Sequence, residues 1–246
     1  MLSPDDVRHF TDDGFLALPE WLSAGAIAEV RALLDPMFAS FGELPAVRVR
    51  DLAAGGSAGP PRSAEIDRPS VLDRRLRATE AYARCQALAR SLGGRSARYS
   101  YDHAIYKAPF NRSPTPWHQD HAYTGHRHLL RTIHVWIPLQ PATVQNGCMH
   151  FVRGSHAQGL VSHTRAADGH VRSATVDQRT DRVACPLPLG GVTVHSPLTL
   201  HYTGPNETPD VRRAWIVHFG PWGRLAKLHP AILYQRCATR LGLERA

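Results

Sequence analysis

The feature that most narrows what this chain can fold into is a change of texture near residue 95. Upstream, apolar residues recur at helical spacing between recognisable start and stop signals. Downstream, short runs of β-branched and aromatic residues follow one another at 97–106, 132–137, 149–152, 191–194, 198–203 and 214–219, separated by turns with proline and glycine. Helices first and many short strands afterwards predict an α+β chain, mainly β, built around a β-sandwich or barrel.

The upstream part is punctuated by local chemistry. Ser3-Pro4-Asp5-Asp6 reads as a helix start, with a serine cap, proline at the first helical position and acids in the first turn. That helix should end by Gly14, before a short apolar strand over Phe15–Leu18. A second helix opens at Ser23 and carries Ile27, Val30, Leu33 and Leu34 on one stripe. Residues 53–61 (AAGGSAGPP) read as a loop, and a third helix is expected from Ser70 to about Leu92, ended by Gly93-Gly94. The expected organisation is one domain over 1–246, helical to about 94, with a β core from about 95 to 225.

The 246 residues suffice for a substantial core. No run of 18 apolar residues appears, and MLSPDDVRHF lacks the apolar centre of a secretory signal, so the expected address is the cytoplasm, with no membrane partner. Cys85, Cys148, Cys185 and Cys237 form no CxxC pair, which argues against a zinc knot or a disulfide framework. The formal charge of +8 comes from arginines spread along the chain without interleaved aromatics. It predicts attraction for small anions and no nucleic-acid partner.

Fifteen histidines are present, nine of them between His103 and His163. Within WHQDH at 117–121, His118 and Asp120 would project to one side of an extended segment, with Gln119 turned away. Taken alone, such a pair is either a surface accident or two legs of a metal site. A distal histidine, His201, would complete a two-histidine, one-carboxylate facial triad. That arrangement leaves coordination positions open and characterises non-haem iron(II) oxygenases. His195 is the competing distal histidine but lacks the Thr-Gly-Pro-Asn turn that follows His201. Arg212 could neutralise a buried carboxylate far from the metal through two charge-assisted hydrogen bonds, and Thr203 could add a hydroxyl donor.

His118-x-Asp120, NGCMHFVRGSH at 146–156, and His201-Tyr-Thr203-Gly-Pro-Asn206 with an arginine eleven residues after the histidine together resemble the phytanoyl-CoA dioxygenase family. The resemblance covers nearly the whole chain, including Trp136, eighteen residues after the first histidine. It implies a double-stranded β-helix, a cupin-like jelly roll with N-terminal helices packed on one face. It also implies iron(II) held by His118, Asp120 and His201, and 2-oxoglutarate as cosubstrate. Arg212 and Thr203 would bind its distal carboxylate, with Arg213 as the alternative cation and Trp136 lining the pocket. His103 and Lys107, on the strand before the motif, would sit near the cosubstrate.

The implied partners are dioxygen and a compact small-molecule substrate, and the implied reaction is hydroxylation or a related oxidation of an unactivated C–H bond. Halogenating relatives replace the metal-binding acid by a small residue, whereas this chain keeps Asp120. The rival readings are a metal-dependent enzyme that does not use 2-oxoglutarate and a non-catalytic metal-binding protein on the same barrel. His121, His126, Arg127, His128 and Arg131 read either as a solvated loop or as a basic lid.

Overall fold

The computed structural model describes residues 1–52, 62–124, 132–165, 172–177 and 179–221. The loop expected at 53–61 and the basic residues His126, Arg127, His128 and Arg131 lie outside them. Helix α1 runs Pro4–Asp13: the Ser3 hydroxyl accepts from the Asp6 amide, the Asp6 side chain accepts from the Ser3 amide, and Gly14 closes the helix at φ 82°. Strand β1 (Phe15–Leu18) follows directly. Helix α2 (Ala24–Ala39) is capped by Ser23 and buries Ala26, Ile27, Val30 and Leu34. Strands β2 (Val49–Asp51) and β3 (Ser63–Asp67) come next.

The single helix expected over 70–92 is in fact three pieces: α3 (Pro69–Leu72), a 3-10 turn at Arg74–Ala78 and α4 (Glu80–Gly93). Asp73 and Thr79 break it. Each has an extended backbone and its side chain accepts an amide hydrogen of the next turn, from Arg75 and Tyr82 respectively. Short polar side chains thus offer the backbone partners that compete with a continuous helix.

The remaining elements are β4 (Arg98–Lys107), β5 (Thr115–His118), α5 (His121–Thr124), β6 (Ile133–Pro138), β7 (Met149–Val152), β8 (Thr164–Arg165), β9 (Arg172–Ser173), β10 (Arg182–Cys185), β11 (Val192–His195), β12 (His201–Thr203) and β13 (Arg212–Gly220). A seven-stranded sheet has the order β1-β11-β6-β13-β4-β3-β2, and a four-stranded sheet the order β10-β7-β12-β5. Neighbouring strands are antiparallel throughout. From β4 onward the chain passes back and forth between the two sheets, which is the winding of a double-stranded β-helix. The expected jelly-roll fold with helices on one face is the observed one. Strands β1, β2 and β3, from the helical N-terminal part, extend the larger sheet.

Two apolar layers hold this together. Ile27, Val30 and Leu34 of α2 and Cys85 and Leu88 of α4 pack with Val135, Ile137, Trp215 and Val217 on the outer face of the larger sheet. Each such fully buried aliphatic side chain contributes about 1.5–3 kcal/mol. Between the sheets, Phe15, Trp136, Ala214 and Ile216 meet Met149, Phe151, Cys185 and Leu187. β6 is buried along its entire length, since helices cover one face and the smaller sheet the other. No helix among the described residues is long and apolar enough to cross a membrane.

Candidate metal centre and anion pocket

Strands β5 and β12 are paired so that His118 and His201 stand directly opposite each other, ring centroids 4.1 Å apart. Asp120 follows two residues after His118, in the turn that opens α5. Gln119 faces away, donating to the carbonyls of Gly159 and Leu198 and accepting from the Val161 amide. His118 Nδ1 donates to the Pro116 carbonyl at 2.8 Å, and His201 Nδ1 to the Thr199 carbonyl at 2.9 Å. Both imidazoles therefore present Nε2 inward, and both Nε2 atoms lie 3.5 Å from Asp120 Oδ1. Two donors at right angles around a divalent ion about 2.1 Å away stand about 3 Å apart, so these spacings fit one ion with little adjustment.

The second oxygen of Asp120 is occupied differently. His134 Nδ1 donates to Oδ2 at 2.6 Å and His195 Nε2 donates at 3.2 Å, while His134 Nε2 accepts from the Thr132 hydroxyl at 2.8 Å. Burial alone would raise the Asp120 pKa, but His201, His118, His134 and His195 hold it well below the usual carboxylate range. Burial lowers the pKa values of His118, His134 and His195, keeping the imidazoles neutral. An ionised carboxylate between neutral imidazoles is the protonation pattern that a metal ion requires.

Arg212, Thr203 and Trp136 form a second group. Arg212 is 1% exposed; its Nη2 reaches the Thr203 hydroxyl at 3.4 Å, and its guanidinium lies 5.7 Å over the Trp136 ring. Nε and Nη1 are buried without a hydrogen-bond partner. Lys107 stands directly across the β13–β4 ladder from Arg212, and its Nζ donates to Thr203 Oγ1 at 3.0 Å and to the Gly204 carbonyl at 2.6 Å. Burial pushes the Arg212 pKa down to about 10; burial, and then the Arg212 charge, carries Lys107 well below its ordinary value.

Two cations opposed in a buried ladder destabilise the sheet unless an anion joins them. Neither forms an ion pair among the described residues. The orphaned guanidinium donors fit a carboxylate entering from outside the chain. Asn206, fully buried, ties the turn after β12 to β4 through the Lys107, Ala108 and Asp210 carbonyls. Gly147, at φ 85°, lets the 143–147 turn rest on that segment, where a Cβ would come within 2.5 Å of the Gly204 carbonyl oxygen.

The structure thus gathers His118, Asp120 and His201 at one point and Arg212, Thr203, Trp136 and Lys107 at another. Arg213 faces the opposite side of the sheet, paired with Asp35 of α2 at 3.0 Å. His195 serves Asp120 Oδ2 and not the triad position. His103 touches none of the Arg212 group; its Nδ1 lies 2.8 Å from Glu65 Oε1 on β3. His156 is remote from the triad, its Nε2 donating to the Thr11 carbonyl. Of the basic group after the motif, His121 is buried. Sequence reasoning missed His134 as a partner of Asp120. Its position two residues before Trp136, on the same face of β6, was the available signal.

A jelly roll that brings two histidines and a carboxylate together, beside a buried arginine with free donors, has the architecture of a non-haem iron oxygenase. The chain belongs to the phytanoyl-CoA dioxygenase (PhyH) family, whose profile matches residues 10–214. Phytanoyl-CoA dioxygenase domain-containing protein 1 of Bos taurus is 27% identical over 195 residues, 65% of this chain and 67% of the bovine protein. EvdO2 of Micromonospora carbonacea var. aurantiaca, solved with 2-oxoglutarate, is 30% identical over 89% of this chain and 91% of its own, with a TM-score of 0.73. The epimerase SnoN, solved with Fe3+, alpha ketoglutarate and nogalamycin RO, shares the fold at 22% identity, covering 88% and 82% of the two chains with a TM-score of 0.69. Iron(II) and 2-oxoglutarate, the pair expected from the sequence, are the cofactors of this family.

Proposed function

We propose that this chain is an iron(II)- and 2-oxoglutarate-dependent oxygenase that hydroxylates an unactivated C–H bond of a compact small molecule. Substrate, 2-oxoglutarate and dioxygen become hydroxylated product, succinate and carbon dioxide. The observation that carries the reading is the buried Arg212–Lys107 pair of β13 and β4, which lacks an ion-pair partner among the described residues and is joined through Thr203 on the strand that delivers His201.

In this reading His118 Nε2, Asp120 Oδ1 and His201 Nε2 hold the metal from one side. When bound, iron(II) with 2-oxoglutarate supplies the activation of dioxygen, coupled to oxidative decarboxylation. The chain's own part is positional. The Pro116 and Thr199 carbonyls aim the two imidazoles, and His134 and His195 restrict Asp120 to one ligand oxygen. Arg212 and Thr203 receive the distal carboxylate of 2-oxoglutarate, with Lys107 adding charge and Trp136 packing against the guanidinium. Asp120 occupies the position at which halogenating enzymes carry a small residue, so hydroxylation is the favoured outcome.

The test is anaerobic addition of iron(II) and 2-oxoglutarate, followed by air and a panel of metabolites. A visible charge-transfer band and substrate-stimulated succinate release are expected. A protein that binds iron but shows neither would be a metal-binding protein without this chemistry.

A further inference from the structure

The inner face of the larger sheet is divided. One half carries the apolar residues that pack on the smaller sheet, while the other carries polar side chains in an unbroken row across adjacent strands. That row starts at the metal centre. His134 is stacked on His218 of β13 at 3.6 Å, and His218 meets His103 of β4 edge-on at 5.6 Å. His103 Nδ1 reaches Glu65 of β3 at 2.8 Å. Beside it, the Tyr101 hydroxyl donates to Asp67 Oδ1 at 2.7 Å.

Ion pairs run along this wall: Arg50 pairs with Glu65 at 3.3 Å and Arg48 with Asp67 at 2.7 Å, while the Arg68 guanidinium lies 5.4 Å over the Tyr101 ring. The wall is also open. β4 lies between β3 and β13, yet the side chains of His103 and Asp67 keep 18% and 14% exposure, and that of Asp120 keeps 20%. His103, Tyr101, Glu65 and Asp67 share one face of their strands with His134 and His218 by register, the face from which His134 reaches Asp120.

A lining that is polar, hydrogen-bonding and internally ion-paired has a definite complement. An acyl chain would strip water from these groups and return no hydrogen bonds. A strongly charged molecule would have to compete with the ion pairs that Glu65 and Asp67 already make. A molecule with several hydroxyls both donates to the carboxylate oxygens and meets the imidazole edge of His103, whose Nδ1 is already committed.

We infer that Glu65, Asp67, Tyr101 and His103 form the substrate-recognition wall of this site, and that the substrate is a neutral, polyhydroxylated small molecule. The inference rests on the iron and 2-oxoglutarate reading above and names the substrate class for it. His103, expected at the cosubstrate, is thereby assigned to the substrate instead.

The experiment measures succinate release from the iron-loaded, full-length protein with three probe sets: methyl glycosides and cyclitols, free amino acids, and a medium-chain acyl thioester. At least one neutral polyol should raise succinate release above the rate without substrate. Glu65→Gln and Asp67→Asn should each lower that stimulation at least tenfold, while the anaerobic charge-transfer band stays as in the wild type even where the weakened ion pairs lower the melting temperature. The band certifies the folded metal centre in each variant. Stimulation by the thioester or amino acids alone overturns the inference. So does polyol stimulation that survives both substitutions, or no response to any polyol by a protein that shows the band. A wild-type protein without the band would instead refute the iron and 2-oxoglutarate reading itself.

Discussion

Asp120 Oδ2 lies 2.6 Å from His134 Nδ1, and this contact decides which oxygen of the carboxylate faces the metal centre. His134 is held in turn by Thr132, so the position of the acid is set from β6, a strand of the opposite sheet to the one that supplies His118 and His201. The three donors are thus fixed from both layers of the sandwich, and sliding of one sheet over the other would pull Asp120 away from the histidines.

Replacing His134 by alanine should therefore weaken metal binding although His134 is not a ligand. Loss of an outer partner of a metal-binding carboxylate costs about 10- to 100-fold in affinity. Titration with cobalt(II) measures this directly, and His134→Asn, which keeps a donor, should recover part of the loss. Equal cobalt affinity in the wild-type and alanine proteins would show that Asp120 needs no such support.

Asp120→Ala removes one of the three proposed ligands and leaves His134 and His195 without their acceptor. Tight metal binding and substrate-dependent succinate release should both disappear. A variant that retained iron and hydroxylated at the wild-type rate would remove Asp120 from the mechanism.

Arg212 and Arg213 are neighbours with opposite fates. Arg212→Met should raise the 2-oxoglutarate requirement roughly 10- to 100-fold, from the loss of hydrogen bonds to a charged group worth about 1.5–3 kcal/mol. The same variant should melt at a higher temperature than wild type without 2-oxoglutarate, because the Arg212–Lys107 repulsion is gone. Arg213→Met loses only a partly exposed pair with Asp35, worth less than about 1 kcal/mol, and should bind 2-oxoglutarate normally. Isothermal titration and thermal melts of both variants check each statement.

Asp102 tests the outer layer. Fully buried on β4, it accepts from the Ser70 amide and hydroxyl, the Tyr99 hydroxyl and the Trp215 indole. Asp102→Ala should lose at least about 3 kcal/mol, since each buried donor left unpaired costs about 1–3 kcal/mol. Urea unfolding reads the difference, and a loss under about 1 kcal/mol would contradict this account. Asp102→Asn, which keeps an acceptor oxygen, should lose less.

How far the sequence could be read depended on the range of each interaction. The α1 cap and its glycine stop lie within a dozen residues of each other, and β1 begins where the stop leaves it. Both were legible because every partner is local. The break at Asp73 and Thr79 is equally local in cause, but apolar spacing through 70–92 masked it. Strands β2, β3 and β10 give weak signals because each is short and its pairing energy comes from a neighbour far along the chain.

The sequence by itself determined the donor types and their spacings: a histidine and an acid two residues apart, a second histidine before a Gly-Pro-Asn turn, and an arginine eleven residues later. Those spacings are fixed by backbone geometry within single strands and turns. Only the tertiary structure decided that Arg212 and not Arg213 turns inward, and that His195 and His134 grip the far oxygen of Asp120. It also decided that Glu65 and His103 form a polar wall beside the centre. Which face of a strand is inside depends on what packs against it, and cross-strand neighbours depend on registers set by distant segments. Neither is written in any short stretch of residues.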